Sequence, residues 1–473
     1  MYKTSSAVRQ TALFWGLESM LDSKHPLYVL ANLVNWKTFE EAFAPLYCKD
    51  NGRRAKPIRL MVGLLVLKHL RNVSDETVVA QFAENAYYQY FCGMDAFTTK
   101  QPCVPTELVE FRHRIGESGI ELILKESIRV NLALEDRKKE DEDKKNHKDG
   151  RGRKPDAEQT AFIDSTVQEK NVTFPTDSKL LNKIIDFCHA VAKKENLKVR
   201  QSYAKDIKEL KRIQRFRGRK NSSQKVKKAD RKMRTIAGRL LRELVRLLPE
   251  KNIYQKRIDV SMKFLNGEKI DGHKIYSLHE PDVLCISKGK DYKKYEFGNK
   301  VSIVRLWNGL IIGAMSFRNE YDGHTMAPSM EQVGRIYGRK IKILAADRGY
   351  RGQDTCSGAK VMIPDVPKSS DTVYTKKKKH ELFRKRAGIE PVIGHCKSDH
   401  RLGRNFYKGL FGDSVNVMLA ALAFNFKRVM NILLCPILTA LSWLFPDWNG
   451  RREPRFLPLR LLVETPGWCH KPF

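Results

Sequence analysis

Acidic side chains are scarce in this 473-residue chain: 54 Asp and Glu face 88 Lys and Arg, for a formal charge of +34 and a pI near 9.8. A surplus of that size repels itself unless a polyanion neutralises it. Cysteine is also sparse, nine in all. No two of them stand as Cys-x2-Cys, which argues against a structural zinc site, and reduced thiols filling core space are expected. No G-x-x-x-x-G-K-[S/T] run occurs, so ATP use through a phosphate loop is not expected. The first 23 residues lack an uninterrupted apolar core, being broken by Lys3, Arg9, Glu18 and Asp22. No export segment and a cytoplasmic, nucleoid-associated location are the expectation. The late apolar stretch 415–445 carries Asn416, Asn425, Lys427, Arg428 and Asn431, which are expensive in hydrocarbon, so it reads as a buried helix and no membrane partner is expected. The polyanion that remains is nucleic acid, where each Lys or Arg placed on a phosphate releases a condensed counterion.

What is present divides the chain into units, as its length also suggests. Residues 1–135 read as a helical N-terminal domain. Pro57 opens Ile58 to Leu70, Ser74 caps a segment through Glu84, Thr106 caps Glu107 to Ile115, Gly116 breaks the run, and Ser118 with Glu121 has capping-box spacing. A helix-turn-helix array that binds DNA ends and a dimerisation or packing module both fit this pattern. Residues 136–155 carry no apolar side chain to anchor them and read as a charged, solvated linker. Residues 156–430 contain strand-like and helical text in alternation, with a helical insertion at about 177–250, and 431–473 form a tail. Within the insertion, residues 205–234 hold 14 Lys and Arg against 3 Asp and Glu. A solvated helical face explains such a run in an ordinary protein; on a chain this basic, DNA contact is the preferred reading.

Ala161 to Val167 reads as a strand, paired with Asn171 to Phe174. Two further strands, Phe297 to Trp307 and Leu310 to Phe317, flank the Asn308-Gly309 hairpin signal. A helix over His324 to Tyr337, a strand over Ile341 to Ala346, a short strand at Val361 to Pro364 and a charged helix from about Lys376 complete an α/β core with helices on its faces.

Two carboxylates stand out in that order. Asp164 ends the apolar run Ala161 to Ile163, and Asp347 ends Ile341 to Ala346. A carboxylate at the edge of a buried strand is costly unless paired, hydrogen-bonded or on a metal; a turn or helix cap is the plain alternative. Glu390 is singled out differently. Phe383, Arg386, Glu390 and Lys397 fall within roughly 60° on one helical face at about 100° per residue. That face presents a carboxylate flanked by two cations, and Gly394 would allow a phosphate to approach closely. Pro391 interrupts the phasing. His279-Glu280-x-Asp282 and Asp322-Gly323-His324 also have metal-ligand chemistry, although Asp322-Gly323 is equally a turn pair.

Phe383-x2-Arg386-x3-Glu390-x6-Lys397 resembles the Tyr-x2-Arg-x3-Glu-x6-Lys signature of the DDE transposases of bacterial insertion sequences. Ile163-Asp164-Ser165-Thr166, Phe174-Pro175-Thr176-Asp177-Ser178 and Asp347-Arg348-Gly349-Tyr350-Arg351 resemble the insertion-sequence-five branch of that family. The one departure is Phe383 in place of Tyr, which removes a hydroxyl. The resemblance implies an RNase H-like catalytic core with Asp164 on its first strand, Asp347 on its fourth and Glu390 on a following helix. It places the basic helical segment as an insertion between the two aspartates. It further implies two Mg²⁺ ions, replaceable by Mn²⁺, held by Asp164, Asp347 and Glu390. Hard carboxylate oxygens suit such ions and leave positions for water and phosphate. Arg386, Lys397, Arg348 and Arg351 would contact DNA. The implied partners are double-stranded DNA, both terminal inverted repeats and target, and a homodimer or higher assembly on DNA. The implied activity is strand cleavage followed by strand transfer. The alternatives are an inactive DNA-binding relic or regulator on the same scaffold, and a nuclease that cuts without joining.

Overall fold

The longest strands define the molecule. In the computed structural model, which describes residues 16–48, 54–145, 159–217, 223–249, 252–287, 294–318, 320–365 and 372–444, strand β1 (Thr160–Lys170) is central. Its first four residues are all buried, as a strand covered on both faces requires. The expected partner at Asn171 to Phe174 does not form. Instead β1 runs on to Lys170 and pairs elsewhere, because the later strand text supplies a longer antiparallel partner. Four short helices, α1 (Leu17–Met20), α2 (Pro26–Leu33), α3 (Trp36–Phe43) and α4 (Ile58–Leu70), precede it. They are followed by α5 (Asp75–Glu84), α6 (Ala86–Phe91) and α7 (Pro105–Lys145). Pro57 is the N-cap of α4, and the Ser74 hydroxyl accepts from Thr77 N at 3.1 Å to cap α5. α7 begins at Pro105, one residue before the expected Thr106 cap, with Glu107 Oε2 accepting from Val104 N at 3.0 Å. Gly116, at φ 65°, interrupts it, a left-handed position that glycine takes without a Cβ clash. α7 also carries helix into the stretch expected as a linker, to Lys145, consistent with the helix preference of Lys and Glu; residues 146–158 lie outside the described residues.

After β1 come α8 (Asp177–Lys194), α9 (Ala204–Arg215), α10 (Ser223–Leu247) and α11 (Gln255–Asn266). They bury a core of their own, including Leu181, Ile184, Met233, Leu240 and Leu241, separate from the main one. The insertion is therefore longer than the expected 177–250. The chain then returns through β2 (Leu284–Ile286), β3 (Glu296–Leu306) and β4 (Ile311–Phe317), with Gly309 at φ 92° in the expected hairpin. Next come α12 (Asp322–Tyr337), β5 (Ile343–Ala345), β6 (Thr355–Cys356) and β7 (Ala359–Met362). The last elements are α13 (Val373–Ala387), α14 (Ile389–Asp399), β8 (Arg404–Asn405) and α15 (Gly409–Leu444).

β3 pairs antiparallel with β1, with β2 and with β4, whereas β5 is parallel to β1 and β7 parallel to β5. The path of paired strands is β2-β3-β1-β5-β7-β6, with β4 also on β3 to give the run β4-β3-β1-β5-β7; helices α8 to α12 lie between β1 and β5, whereas β5 reaches β7 through the 3₁₀ turn Arg348–Tyr350 and β6. At Gly298 a Cβ would fall 1.9 Å from Gln168 O, so only glycine allows β3 to lie this close to β1.

One main core joins the N-terminal helices to the sheet, from Leu27 through Ile163 to Met430. α15 is the apolar stretch read as a buried helix, and it packs on α7, β4, α4 and α2. Each fully buried Leu or Phe there contributes roughly 1.5–3 kcal/mol. Asn425 in its middle is fully buried and hydrogen-bonded to both Ile311 N and Ile311 O, which satisfies the strand end at which β4 starts. Lys170, at the end of β1, is buried against Asp413 (2.7 Å) and Glu280 (3.3 Å), tying β1 to α15 and to the segment that leaves the insertion.

Candidate active site

β1 and β5 stay paired only through Phe162 and Ala345, and beyond that point they part. Asp164 lies two residues past the last pair on β1, and Asp347 two residues past the end of β5. The parting of two parallel strands leaves a crevice at their carboxyl ends, the usual place for chemistry in an open α/β sheet. Asp164 is therefore within β1 rather than at its end, and the crevice comes from β5 stopping.

Asp347 caps the short 3₁₀ turn Arg348–Tyr350, accepting from Gly349 N at 2.9 Å. Asp164 Oδ1 accepts from Ser165 N at 2.8 Å. Both are gathered by one cation. Arg386 Nη2 lies 3.0 Å from Asp164 Oδ2 and 3.7 Å from Asp347 Oδ2, so residues 183 apart in sequence share a single guanidinium nitrogen. The Arg386 side chain is 16% exposed, so this pairing takes place in a partly water-excluded setting where charges interact strongly.

Arg386 lies one residue before the end of α13, where the helix breaks. The expected single face through Phe383, Arg386, Glu390 and Lys397 does not form: α13 ends at Ala387 and α14 starts at Ile389, so the break precedes Glu390 instead of following from Pro391. Arg305 holds the break. It is a buried arginine on β3 that hydrogen-bonds Lys385 O at the end of α13 and lies over the Phe162 ring at 4.9 Å. Burial lowers its pKa to about 10. Sequence reading missed it, because an arginine in strand text gives no sign of being buried.

Glu390 sits exposed in the first turn of α14 and is not gathered with the two aspartates; Gly394 is exposed one turn on, and Lys397 lies half-buried in the last turn. Among the described residues no three Asp, Glu, His or Cys side chains are close enough to share one ion. Arg348 donates from Nε to Pro364 O at 3.3 Å, and Arg351 is exposed at the rim.

Asp322, which in sequence is equally one half of a turn pair, belongs to the same neighbourhood. It opens α12, and Lys300 Nζ on β3 approaches its Oδ1 at 3.1 Å. The other metal-like run is structural. Glu280 takes Lys170 and Gly409 N, Asp282 takes Arg318 at 3.0 Å, and His279 meets Ser277. The seven described cysteines are all free, and the buried ones fill core space; the side chains of Cys435 and Cys469 lie outside the described residues.

Two aspartates at the parting of a mixed sheet's central parallel strands, gathered by one arginine, define an α/β protein with an acidic crevice at its strand ends. Residues 16–114 match a family model described as a transposase domain, and residues 270–426 match one described as a transposase DDE domain. A relative in Rhizobium meliloti, the uncharacterized protein ORF8 in the nfe locus, is 35% identical over 189 residues, which cover 40% of this chain and 83% of the relative. No solved structure matches. The chain belongs to the DDE transposase family of insertion sequences. Members of this family act on DNA and are typically dependent on divalent metal.

Proposed function

We propose that this chain is a transposase of the insertion-sequence-five branch, with an RNase H-like core. In this reading it cleaves DNA at the ends of its own element and transfers the freed strand to target DNA, in the cytoplasm. The observation that carries the reading is the convergence of Asp164 and Asp347 on Arg386 at the parting of β1 and β5. The strand order β4-β3-β1-β5-β7, with its antiparallel and parallel halves, supports an RNase H-like core.

The donor set fits a magnesium or manganese ion. Mg²⁺ is commonly held by one or two carboxylates, the rest of its coordination being water and substrate phosphate, so two converging aspartates suffice to begin a site. Asp164 and Asp347 would hold the metal, joined by Glu390 when DNA is bound. Bound divalent cations would supply activation of the attacking oxygen and stabilisation of the departing one. The chain's own part is charge and position. Arg386, now on the aspartates, is placed to accept a phosphate in exchange, because a guanidinium pairs with phosphate as it does with carboxylate. Lys397 and Gly394 extend that surface along α14, and Arg348 and Arg351 flank it. Residues 1–135 would bind DNA ends or mediate pairing of two copies.

One observation favours the second reading, a DNA-binding relic or regulator: Glu390 stands apart from the aspartates. A cleavage assay with Mg²⁺ or Mn²⁺ on DNA carrying the matching inverted ends separates the two. Asp164→Asn, Asp347→Asn and Glu390→Gln should each lower cleavage by about a hundredfold or more, a loss of several kcal/mol of transition-state stabilisation, with DNA binding retained. Full cleavage in all three variants would overturn the assignment, and no cleavage by the unaltered chain would favour the relic.

A further inference from the structure

Three features meet beside Asp347. First, Gly349 separates two carboxylates: a Cβ there would lie 3.0 Å from Asp347 Oδ1 and 3.2 Å from Asp322 Oδ2. Its φ is not in the left-handed region, so what glycine supplies is clearance, and the space a side chain would fill lies between the two acids. Second, Asp322 Oδ1 is buried and meets Lys300 Nζ at 3.1 Å without hydrogen-bond geometry. Third, Tyr350 is fully buried, and its hydroxyl, in the field of Asp322, Asp164 and Asp347, has the Thr325 hydroxyl beside it but makes no hydrogen bond of ordinary geometry. The neighbouring Thr325 hydroxyl donates to Asp322 O at 2.7 Å. A buried donor left unpaired among carboxylates is expensive in a finished structural network and costs far less where water or a ligand completes the site.

The charges point the same way. Asp347 shares Arg386 with Asp164 and faces Asp322 across Gly349, and repulsion within each pair is relieved by a tethered cation, Arg386 on Asp164 and Asp347, and Lys300 on Asp322.

We propose that Asp322 is a further acidic residue of the catalytic site, a ligand for a divalent cation acting with Asp347 across Gly349, and that Lys300 is the stand-in cation which the metal displaces. The inference rests on the reading of Asp164 and Asp347 as metal ligands. It is tested by Mn²⁺ binding to the full chain without DNA, followed by calorimetry and by the electron paramagnetic resonance of free Mn²⁺. Asp322→Asn should weaken binding about tenfold or more, as Asp164→Asn and Asp347→Asn should, and Lys300→Gln should tighten it. Wild-type affinity in Asp322→Asn, with affinity lost in the other two aspartate variants, would overturn the role of Asp322 and leave the two-aspartate reading standing. Wild-type affinity in all three would overturn that reading as well. Lys300→Gln binding Mn²⁺ no more tightly than wild type would overturn the stand-in role. Should Asp322→Asn fail to fold because Lys300 is left unpaired, the double variant Lys300→Gln/Asp322→Asn restores charge balance, and the same comparison is made against Lys300→Gln.

Discussion

Single residues set this site by where they put charge and where they withhold bulk. Arg386 gathers two aspartates from distant parts of the chain, and Arg305 turns the helix that carries Arg386. Gly349 withholds bulk. Gly349→Ala leaves the backbone unstrained but pushes on Asp347 and Asp322 at once. Cleavage should fall roughly tenfold to a hundredfold, since displacements near 1 Å at a reacting centre carry losses of that order. The melting temperature should move little, and an alanine variant as active as wild type would show that the gap is not used. Asp164 and Asp347 were legible because each ends an apolar run, and Arg386 and Glu390 because of their spacing in a motif. Asp322 was less legible, since Asp-Gly is also ordinary turn chemistry, and only its distance to Gly349 and Lys300 distinguishes the two.

At the scale of elements, the insertion is the part most clearly separate. α8 to α11 close around their own apolar cluster, which frees the outer face of α10 to carry charge. Lys228, Arg231, Arg239 and Arg242 are exposed at offsets of 3, 11 and 14 from the first, a single stripe along the helix. If that stripe lies on DNA, changing Lys228, Arg231 and Arg242 to Gln reduces the slope of log affinity against log salt by about 0.9 for each phosphate no longer neutralised. An unchanged slope would return the stripe to the status of a solvated face. The existence of these helices was readable from periodicity, and so were α4, α5 and α12, whose caps or apolar spacing are local. The strand pairing was not. β1 was expected to fold back on Asn171 to Phe174, yet its partner β3 begins well over a hundred residues later, and no local pattern encodes a register of that range. The break at Gly388 was hidden for the same reason, because Arg305, which meets it, comes from another strand.

Across the whole molecule, the N-terminal helices and the sheet share one core, and a pair of histidines marks the seam. His69 on α4 and His400 after α14 are buried, with each Nδ1 facing the other's carbonyl oxygen, at 3.3 and 3.1 Å, and the Tyr407 hydroxyl meets His69 Nε2 at 3.2 Å. Neutral rings satisfy this arrangement, each Nδ1–H donating and His69 Nε2 accepting. Burial, then the charges of Lys68 and Arg401, hold His69 well below its ordinary 6.5; burial first also lowers His400. Both groups bind protons more readily in the unfolded chain. Their stabilising effect is therefore fully present above about pH 6.5 and is lost as pH falls below it. The urea midpoint should drop between pH 7 and pH 5, and His69→Gln should flatten that dependence; equal slopes in the two proteins would sink the argument.

The sequence by itself determined that this chain is strongly basic, that it is helical before residue 131 and α/β after 156, and that Asp164, Asp347, Arg386 and Glu390 belong to a known pattern. Those properties follow from composition and from spacing within a few turns or a single strand, which the chain carries locally. Only the tertiary structure decided which side chains meet. It placed Arg386 on two aspartates, left Glu390 on the outside of a separate helix, and brought Asp322 and Lys300 to the same crevice. The physical reason is that a crevice exists where β5 stops beside β1, and the packing of a whole sheet, not any short run of residues, decides where a strand loses its neighbour.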